Sequence, residues 1–243
     1  MEKNRLQHIR KEEKEYHEQY YEEHELYEED SWIEEPDERM LDYIAKLQTG
    51  RPLKALDLGC GNGRNSIPLA RELKGDGGRV TCVDLLDKAL DQLKDYSVEY
   101  RVEDVIRTEQ ADISVYEVRP GEYDFILAAS SLEHVRSETD LDHLLVRLRE
   151  GTRDGGINYI NMNTGIEEYD LTTGEKRETL IELVLTKEQA LQKLRGSYDG
   201  WEELHASHKP IEFEINRGEA PVMMKADCVS FAVRKPGAKK KQA

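Results

Sequence analysis

Three glycines, each separated from the next by a single residue, follow the first apolar segment with strand character. The segment Leu53–Leu58 leads into Gly59, Gly61 and Gly63, and a stretch with helical spacing follows. A strand that opens through a glycine-rich loop into a helix is the nucleotide-binding arrangement of open α/β sheets. The spacing is G-x-G-x-G, and Arg64 stands where the dinucleotide fingerprint G-x-G-x-x-G needs its third glycine. The loop therefore predicts a nucleotide-like ligand other than a dinucleotide.

Three predicted strands carry an acidic residue at their carboxyl ends, and these residues indicate the charge of the ligand that the loop binds. They are Asp57, Asp84 and Asp112. Three carboxylates would repel a pyrophosphate but attract a cofactor with an ammonium, a ribose diol, an exocyclic amine and a sulfonium. S-adenosylmethionine carries all four groups and is the predicted cofactor. Asp84 would accept hydrogen bonds from the ribose hydroxyls, a role that alone would fit NAD equally well. Asp112 and Ile113 would hold the adenine, and Asp57 would lie under the loop, near the methionine ammonium or bound to loop amides.

The end of the fourth predicted strand would face the methyl acceptor. Ala129 and the two serines after it should line the methionine part of the cofactor. Methyl transfer from a sulfonium is an in-line displacement, in which alignment and exclusion of water supply most of the acceleration. It needs neither a protein nucleophile nor a metal, although a base would help an alcohol or amine acceptor. His134 is the candidate base, and a structural cap is the alternative. His205 and His208 have no visible third ligand, so no metal site is predicted.

Composition limits the partners of the chain. Its 243 residues contain 35 Lys and Arg against 51 Asp and Glu, a net charge of −16. Long-range repulsion opposes binding to nucleic acid or to anionic membranes. No apolar run approaches the roughly 20 residues needed to span a bilayer, and no secretory signal is visible. We therefore expect a cytoplasmic protein with three reduced cysteines and with no nucleic-acid or membrane partner; the sequence leaves the oligomeric state open.

The predicted fold is α/β, with a Rossmann-like, doubly wound, mostly parallel seven-stranded sheet, an antiparallel C-terminal edge and an N-terminal helical extension. Strands that alternate with helices imply right-handed crossovers and hence parallel pairing. The predicted strands are 53–58, 79–84, 109–113, 123–129, 156–163, 212–216 and 225–234, with a ribbon around the turn 173–175. The predicted helices of this region are 65–74, 86–93, 140–150 and 187–194.

Several motifs resemble those of a known family. The segments ALDLGCGNGRNS (55–66), TCVDLLDKAL (81–90), QADIS (110–114) and YDFILAASSLEHV (123–135) resemble motifs I to IV of class I S-adenosylmethionine-dependent methyltransferases. GCGNGRNS, with SYDGWEELH (197–205) and FAVRKP (231–236), is similar to the tellurite-resistance type of small-molecule methyltransferase. The ribbon around 166–185 is longer than in that type, and the stretch after His205 departs from it. The resemblance therefore supports methyl transfer more strongly than tellurite as the substrate.

The resemblance also implies which residues bind the cofactor. They are Asp57, Gly59, Cys60, Gly61, Gly63, Asn65, Asp84, Leu85, Asp112, Ile113, Ala129, Tyr20 and Trp32. The last two belong to YYEEHELYEEDSWIEEP, which is similar to an opening segment whose aromatic residues close over the cofactor in related enzymes.

Three regions follow from these patterns. Residues 1–50 form an acidic helical extension, 51–235 the methyltransferase domain and 236–243 a disordered basic tail. The extension is either a solvated arm or a lid. The expected function is methyl transfer to a small molecule. The alternatives are a cofactor-binding protein without turnover that engages a partner through the acidic arm, and a methyltransferase acting on a protein.

Overall fold

Alternating strands and helices dominate the computed structural model, which describes residues 2–47, 50–218 and 220–237. Residues 238–243 of the predicted basic tail lie outside the described residues. In chain order the helices are α1 (Glu2–Glu23), α2 (Glu38–Ala45), α3 (Ser66–Lys74), α4 (Asp87–Glu99), α5 (Glu138–Gly151) and α6 (Lys187–Ser197). The strands are β1 (Lys54–Leu58), β2 (Arg79–Asp84), β3 (Ile106–Gln110), β4 (Tyr123–Ala129), β5 (Thr152–Asp170), β6 (Lys176–Arg177), β7 (Glu202–Arg217) and β8 (Ala220–Arg234).

The strands form one sheet in the order β3-β2-β1-β4-β5-β8-β7. The first five are parallel, whereas β8 runs antiparallel to β5 and β7 antiparallel to β8. This confirms the Rossmann-like sheet with an antiparallel C-terminal edge; the two-residue β6, paired with β5, adds an eighth strand to the predicted seven. The strand order reverses between β1 and β4, and ligands of such sheets bind at the carboxyl ends of the strands at this reversal.

Helices cover both faces of the sheet. On one face, Leu141, Leu144 and Leu148 of α5 are buried against the strands, and on the other face α3 and α4 bury Leu69 and Leu93. The strands between them are apolar on both sides, as expected for a sheet with two buried faces. This double packing keeps the carboxyl ends of β1, β2 and β4 at one edge of the sheet.

Several bounds differ from the prediction, and the differences in the third strand and in the last two strands bear on the site. The third strand ends at Gln110 instead of reaching Ile113, because Asp112 caps a short 3-10 turn and accepts a hydrogen bond from the Ser114 amide at 2.9 Å. The last two strands form one long hairpin that begins at Glu202, well before the predicted start at Glu212. This hairpin and the extended end of β5 project beyond the sheet and build one side of the site.

The N-terminal segment packs against the carboxyl edge of the sheet. In this segment Ile9 and Ile33 are fully buried, and Tyr21 is nearly so. Glu22 pairs with Lys88 of α4, and Arg5 pairs with Glu178. Helix α1 is therefore held at both of its ends. In the described part of the chain, no helix combines the length and apolar character needed to cross a bilayer.

Candidate functional site

A cavity of about 330 Å³ lies between the carboxyl ends of the central strands and the inner side of α1. The turns after β1, β2, β3 and β4 form its floor, and the β7–β8 hairpin forms one wall. A volume of this size is typical of small-molecule sites. It is also at the edge of the sheet where the strand order reverses.

The loop after β1 requires glycine where it approaches its neighbours. Gly59 and Gly61 have φ values of +75° and +54°, a backbone region that residues with a side chain rarely adopt. A Cβ on Gly59 would lie 2.3 Å from the Cβ of Ser131, and one on Gly61 would lie 2.6 Å from the Tyr21 hydroxyl. Both glycines line the cavity, whereas Gly63 lies outside it and packs against Leu93 of α4.

Asp84 joins this loop to the end of β2. One carboxylate oxygen accepts a hydrogen bond from the Gly61 amide at 2.8 Å, and the other accepts one from the Leu86 amide at 2.9 Å. The side chain lines the cavity. Each oxygen has a second lone pair, so this carboxylate can still accept hydrogen bonds from a ligand.

Asp57 does not line the cavity. Its side chain is 1% exposed beneath the loop, and it accepts a 2.6 Å hydrogen bond from the Ser66 hydroxyl at the start of α3. The carboxylates that share the cavity are therefore Asp84 and Asp112 but not Asp57. The hydrogen-bond partner of Asp57 is thus the Ser66 hydroxyl, nine residues further along the chain, and not a loop amide. Its proximity to the methionine ammonium stays a prediction.

The burial of Asp57 predicts a pH effect on stability. Burial raises the pKa of its carboxyl to about 6, although the Ser66 hydrogen bond opposes the change. The native state therefore binds this proton more tightly than the unfolded chain, and the stabilisation is lost as the pH rises through about 6. We expect this residue to lower the free energy of unfolding by about 1 kcal/mol between pH 5 and pH 8. Urea titrations of wild type and Asp57→Asn should differ by this pH-dependent amount, and the exposed Asp154→Asn should not.

Asp112 lines the cavity but is already paired. Arg10 of α1 donates to one of its oxygens at 2.8 Å, Arg136 donates to the same oxygen at 2.7 Å, and the Ser114 amide donates to the other. Burial acts to raise the pKa of this carboxyl, but the two guanidinium groups outweigh it and hold the pKa well below its usual range. Ile113 beside it is buried and also faces the cavity.

The aromatic residues of the N-terminal segment contribute differently from expectation. Trp32 lines the cavity, but Tyr20 does not: it stacks behind Trp32 with ring centroids 5.0 Å apart. The Tyr20 hydroxyl accepts a 3.0 Å hydrogen bond from the Trp32 amide. Tyr16 and Tyr21 line the cavity instead. One residue of helix turns a side chain by about 100°, which separates the directions of Tyr20 and Tyr21.

The remaining predicted cofactor residues, Cys60, Asn65, Leu85 and Ala129, all line the cavity. Leu85 is 46% exposed and stands at its rim. The Asn65 side chain accepts a 3.0 Å hydrogen bond from the Asp37 amide, which attaches the segment before α2 to the start of α3.

His134 faces the cavity with carboxylates around it. Its Nδ1 lies 3.0 Å from Glu182 and 3.9 Å from Glu13. Burial by itself lowers the pKa of this ring, but the hydrogen bond and charge of Glu182, with Glu13 and Glu133, raise it to about 10. While Glu182 holds the His134 ring, the ring is protonated at neutral pH and donates a hydrogen bond to the Glu182 carboxylate. Base catalysis by His134 stays a prediction, and this geometry favours a cationic, positioning role.

Buried polar atoms without partners cluster around this cavity. Among the described residues, eight buried side-chain atoms have no hydrogen-bond partner, and six of them belong to residues that line it. The six are Arg10 Nε, His17 Nδ1, Trp32 Nε1, Asn62 Nδ2, Glu133 Oε2 and Asn163 Oδ1. Each such atom costs about 1–3 kcal/mol when left unpaired. Their concentration in one place indicates a site built for a polar ligand.

The sequence analysis did not identify the residues that α1 and β7 contribute. Arg10, Glu13 and His17 line the cavity from α1, and Phe213 and Arg217 do so from β7. The three α1 residues are three and four positions apart, so their common face was detectable, although not what it faces. The sequence of β7 has no spacing pattern that points to the cavity.

The histidines of HASHK stay outside the cavity. His205 lies 2.7 Å from the Ser207 hydroxyl, and His208 pairs with Asp227 at 3.4 Å. Asn161 and Asn163, two polar residues of β5 that could reach a substrate, lie in different surroundings. Asn163 lines the cavity, whereas Asn161 donates to Asp37 and accepts from Ser230.

Known methyltransferases resemble this chain both in sequence, over one domain, and in structure. Residues 55–156 match the methyltransferase domain family. A search of the curated proteins found no match. TehB from Haemophilus influenzae has a similar structure, with a TM-score of 0.57 and 22% identity over 82% of this chain. The match covers 62% of TehB, so this chain spans less than two thirds of that protein.

Two further solved structures share the fold. The 1,6-didemethyltoxoflavin-N1-methyltransferase of Burkholderia thailandensis, solved with 1,6-didemethyltoxoflavin and S-adenosylhomocysteine, has a TM-score of 0.54 and 20% identity over 81% of this chain and 76% of its own. An S-adenosylmethionine-dependent methyltransferase of Methanosarcina mazei has a TM-score of 0.58 and 16% identity over 84% of this chain and 99% of its own. Residues 55–156 therefore resemble the methyltransferase domain family, and the strand order and the glycine loop after β1 give this chain the fold of these S-adenosylmethionine-dependent methyltransferases.

Proposed function

We propose that this protein transfers the methyl group of S-adenosylmethionine to a small-molecule acceptor by in-line displacement inside the cavity. The observation that carries the proposal is the cavity itself: it lies beyond the glycine loop, and helix α1 and the β7–β8 hairpin enclose it. Enclosure excludes water and aligns donor with acceptor, which is the main requirement of this reaction.

In this proposal the turns after the central strands hold the cofactor. Asp84 accepts hydrogen bonds from the ribose hydroxyls, while Gly59, Cys60 and Gly61 border the methionine part. Ile113 packs on the adenine. Asn65, Leu85 and Ala129 complete the surroundings, and Trp32 covers the site from the N-terminal segment. Asp57 and Gly63 support the loop from beneath, and Tyr20 supports Trp32 from behind.

Asp112 would meet the adenine amine, and this contact competes with its present partners. Because Arg10 and Arg136 share one oxygen, the amine would bind the other oxygen or displace a guanidinium group. Arg10 belongs to α1, so cofactor binding and the position of this helix are coupled in the proposal.

The acceptor would lie between His134 and an apolar wall. Phe213 and Ile215 of β7, with Met224 of β8, line this side of the cavity. An acceptor with a flat or aliphatic body would pack there, with the atom to be methylated directed to the sulfonium. The cytoplasm is the proposed location, since all three cysteines are free thiols.

The enclosed cavity also helps to choose between the alternative functions, which are methylation of a protein and cofactor binding without turnover. A protein substrate would have to insert a side chain past α1, whose inner residues contact the body of the domain. Cofactor binding without turnover remains the second candidate, because the same cavity serves both. Release of S-adenosylhomocysteine in the presence of selenite, tellurite, thiols, amines or phenols would separate the two.

Calorimetry with S-adenosylmethionine tests the cofactor site. Asp84→Ala removes the carboxylate that would bind the ribose and that holds the Gly61 amide, and we expect the affinity to fall at least about 100-fold, since hydrogen bonds to charged groups contribute about 1.5–3 kcal/mol each. The control is Asp87→Ala, an exposed acid three residues further along. Undiminished binding by the Asp84 variant, or tight binding of NAD by wild type, would overturn the assignment.

A further inference from the structure

We propose that Glu13, His17 and His134 form a binding site for a divalent transition-metal cation on the wall of the cavity. Each residue offers one ligand atom, and these atoms all lie within 4.8 Å of one another. Glu13 and His17 stand one turn apart on α1, and His134 comes from the turn after β4. Two imidazoles and one carboxylate suit Zn²⁺, Fe²⁺ or Co²⁺.

The distances are close to those of a bound ion. The Glu13 Oε2 atom lies 3.5 Å from His17 Nε2 and 3.9 Å from His134 Nδ1. A cation at about 2.0–2.1 Å from each ligand separates tetrahedral ligand atoms by about 3.4 Å. The two separations between Glu13 and the histidines are thus within about half an ångström of this value, and the two histidine atoms lie no more than 4.8 Å apart. Rotation of the side chains can bring the three atoms to one cation without any change in the backbone.

Neighbouring side chains act on each of the three ligands. Arg217 binds the Oε1 atom of Glu13, which leaves Oε2 directed to the histidines, as partners of metal ligands commonly do. Glu182 lies 3.0 Å from the Nδ1 atom of His134, so a cation bound at this nitrogen would take the place of the proton that the two side chains share. At His17 the Nε2 atom faces Glu13, and the other ring nitrogen, Nδ1, is buried with no hydrogen-bond partner among the described residues.

The local charge also favours a cation. Counted with Glu13, four carboxylates and two guanidinium groups lie in and around the cluster, namely Glu13, Glu133, Glu168, Glu182, Arg10 and Arg217, and the neighbouring Asp112–Arg136 pair adds one charge of each sign. With neutral imidazoles the formal sum is 2 − 4 = −2, which one divalent cation balances. The proton on His134 balances part of the same charge, and the metal would replace it, as metals do when they bind histidine.

A metal here would also act on the acceptor, a consequence that rests on the proposed function. Three protein ligands leave at least one coordination position, and the cluster faces the cavity. An oxygen or nitrogen of the acceptor would occupy it and be held against the wall opposite the glycine loop. This arrangement favours acceptors with a metal-binding group, such as a phenol, a carboxylate or a heterocyclic nitrogen.

The test uses the full chain, without a polyhistidine tag, after treatment with a chelator. We expect one equivalent of Zn²⁺ to bind in calorimetry and one equivalent of Co²⁺ to produce a visible absorption band. His17→Ala and His134→Gln should each weaken Zn²⁺ binding at least 10-fold and change the band. The matched control is His8→Ala, because His8 and Glu12 form the same i,i+4 pair on an exposed part of α1, 3.9 Å apart.

Circular dichroism and urea denaturation of each variant show whether it is folded. The two histidine substitutions are far apart in sequence, so a folding defect in one leaves the other to decide. Wild type that binds no stoichiometric Zn²⁺ or Co²⁺ overturns the proposal, as does binding that both folded variants retain. Either outcome leaves the Asp84→Ala result untouched, so failure of the metal site and failure of the proposed function are distinguishable.

Discussion

Replacing Gly59 by alanine is expected to abolish S-adenosylmethionine binding and to lower the free energy of unfolding by about 2–5 kcal/mol. The backbone at this residue has a φ of +75°, which costs a residue with a Cβ about 1–2 kcal/mol. The new Cβ would also lie 2.3 Å from the Cβ of Ser131, and overpacking of this kind costs about 1–3 kcal/mol. The loop must move to relieve the contact, and its amides then leave the cofactor.

Gly75→Ala is the matched control for this prediction. Gly75 ends α3 with a φ of −59°, and a Cβ there would meet nothing within 4 Å. We expect an unchanged or slightly higher stability, since alanine favours helix by about 0.8–1.0 kcal/mol over glycine. Urea denaturation and calorimetry of both variants give the comparison. Wild-type affinity in the Gly59 variant would show that the loop does not approach the cofactor as closely as we infer.

The parts of the fold that the sequence predicted well are those set by local pattern. β2 and β4 have the predicted bounds, because each is an apolar run with an abrupt polar end. The observed β3 begins at Ile106, three residues before the predicted strand 109–113. The prediction missed this start because the side chains of β3 are half-exposed and form no apolar run. Thr186 caps α6 by a local pattern of the same kind, since its side chain accepts a hydrogen bond from the Gln189 amide and the Gln189 side chain accepts one from the Thr186 amide.

The same distinction applies to the site: residues close together in the sequence were predicted, and residues brought together by packing were not. The glycine loop and Asp84 lie within about 25 residues of one another, and their spacing already implied their proximity. The approach of Glu13 to Arg217 depends on how a helix from one end of the chain packs on a hairpin from the other. No spacing rule contains that information. The prediction for Tyr20 shows a finer limit: the segment was assigned to the site, but choosing Tyr21 required the rotation of α1.

Substituting Arg217 by methionine should be the most damaging single change to the closure of the cavity. The Arg217 side chain is 2% exposed and pairs with Glu168, which is 1% exposed, and with Glu13. Removing one partner of a buried ion pair leaves an uncompensated charge and costs about 3–5 kcal/mol. Because Glu13 belongs to α1, the loss should also free this helix from β7. Urea denaturation measures the first effect, and proteolysis near α1 measures the second.

Arg234→Met is the control for Arg217→Met, since Arg234 forms an exposed pair with Glu202 in the neighbouring strand. Exposed pairs contribute about 0–1 kcal/mol, so this variant should remain near wild type. Adding Glu168→Gln to Arg217→Met should recover part of the stability, because it removes the carboxylate left without a partner. If Arg217→Met lowers the free energy of unfolding no more than its control does, the ion pairs of Arg217 with Glu13 and Glu168 do not attach α1 to the domain. The cavity would then need another means of closure.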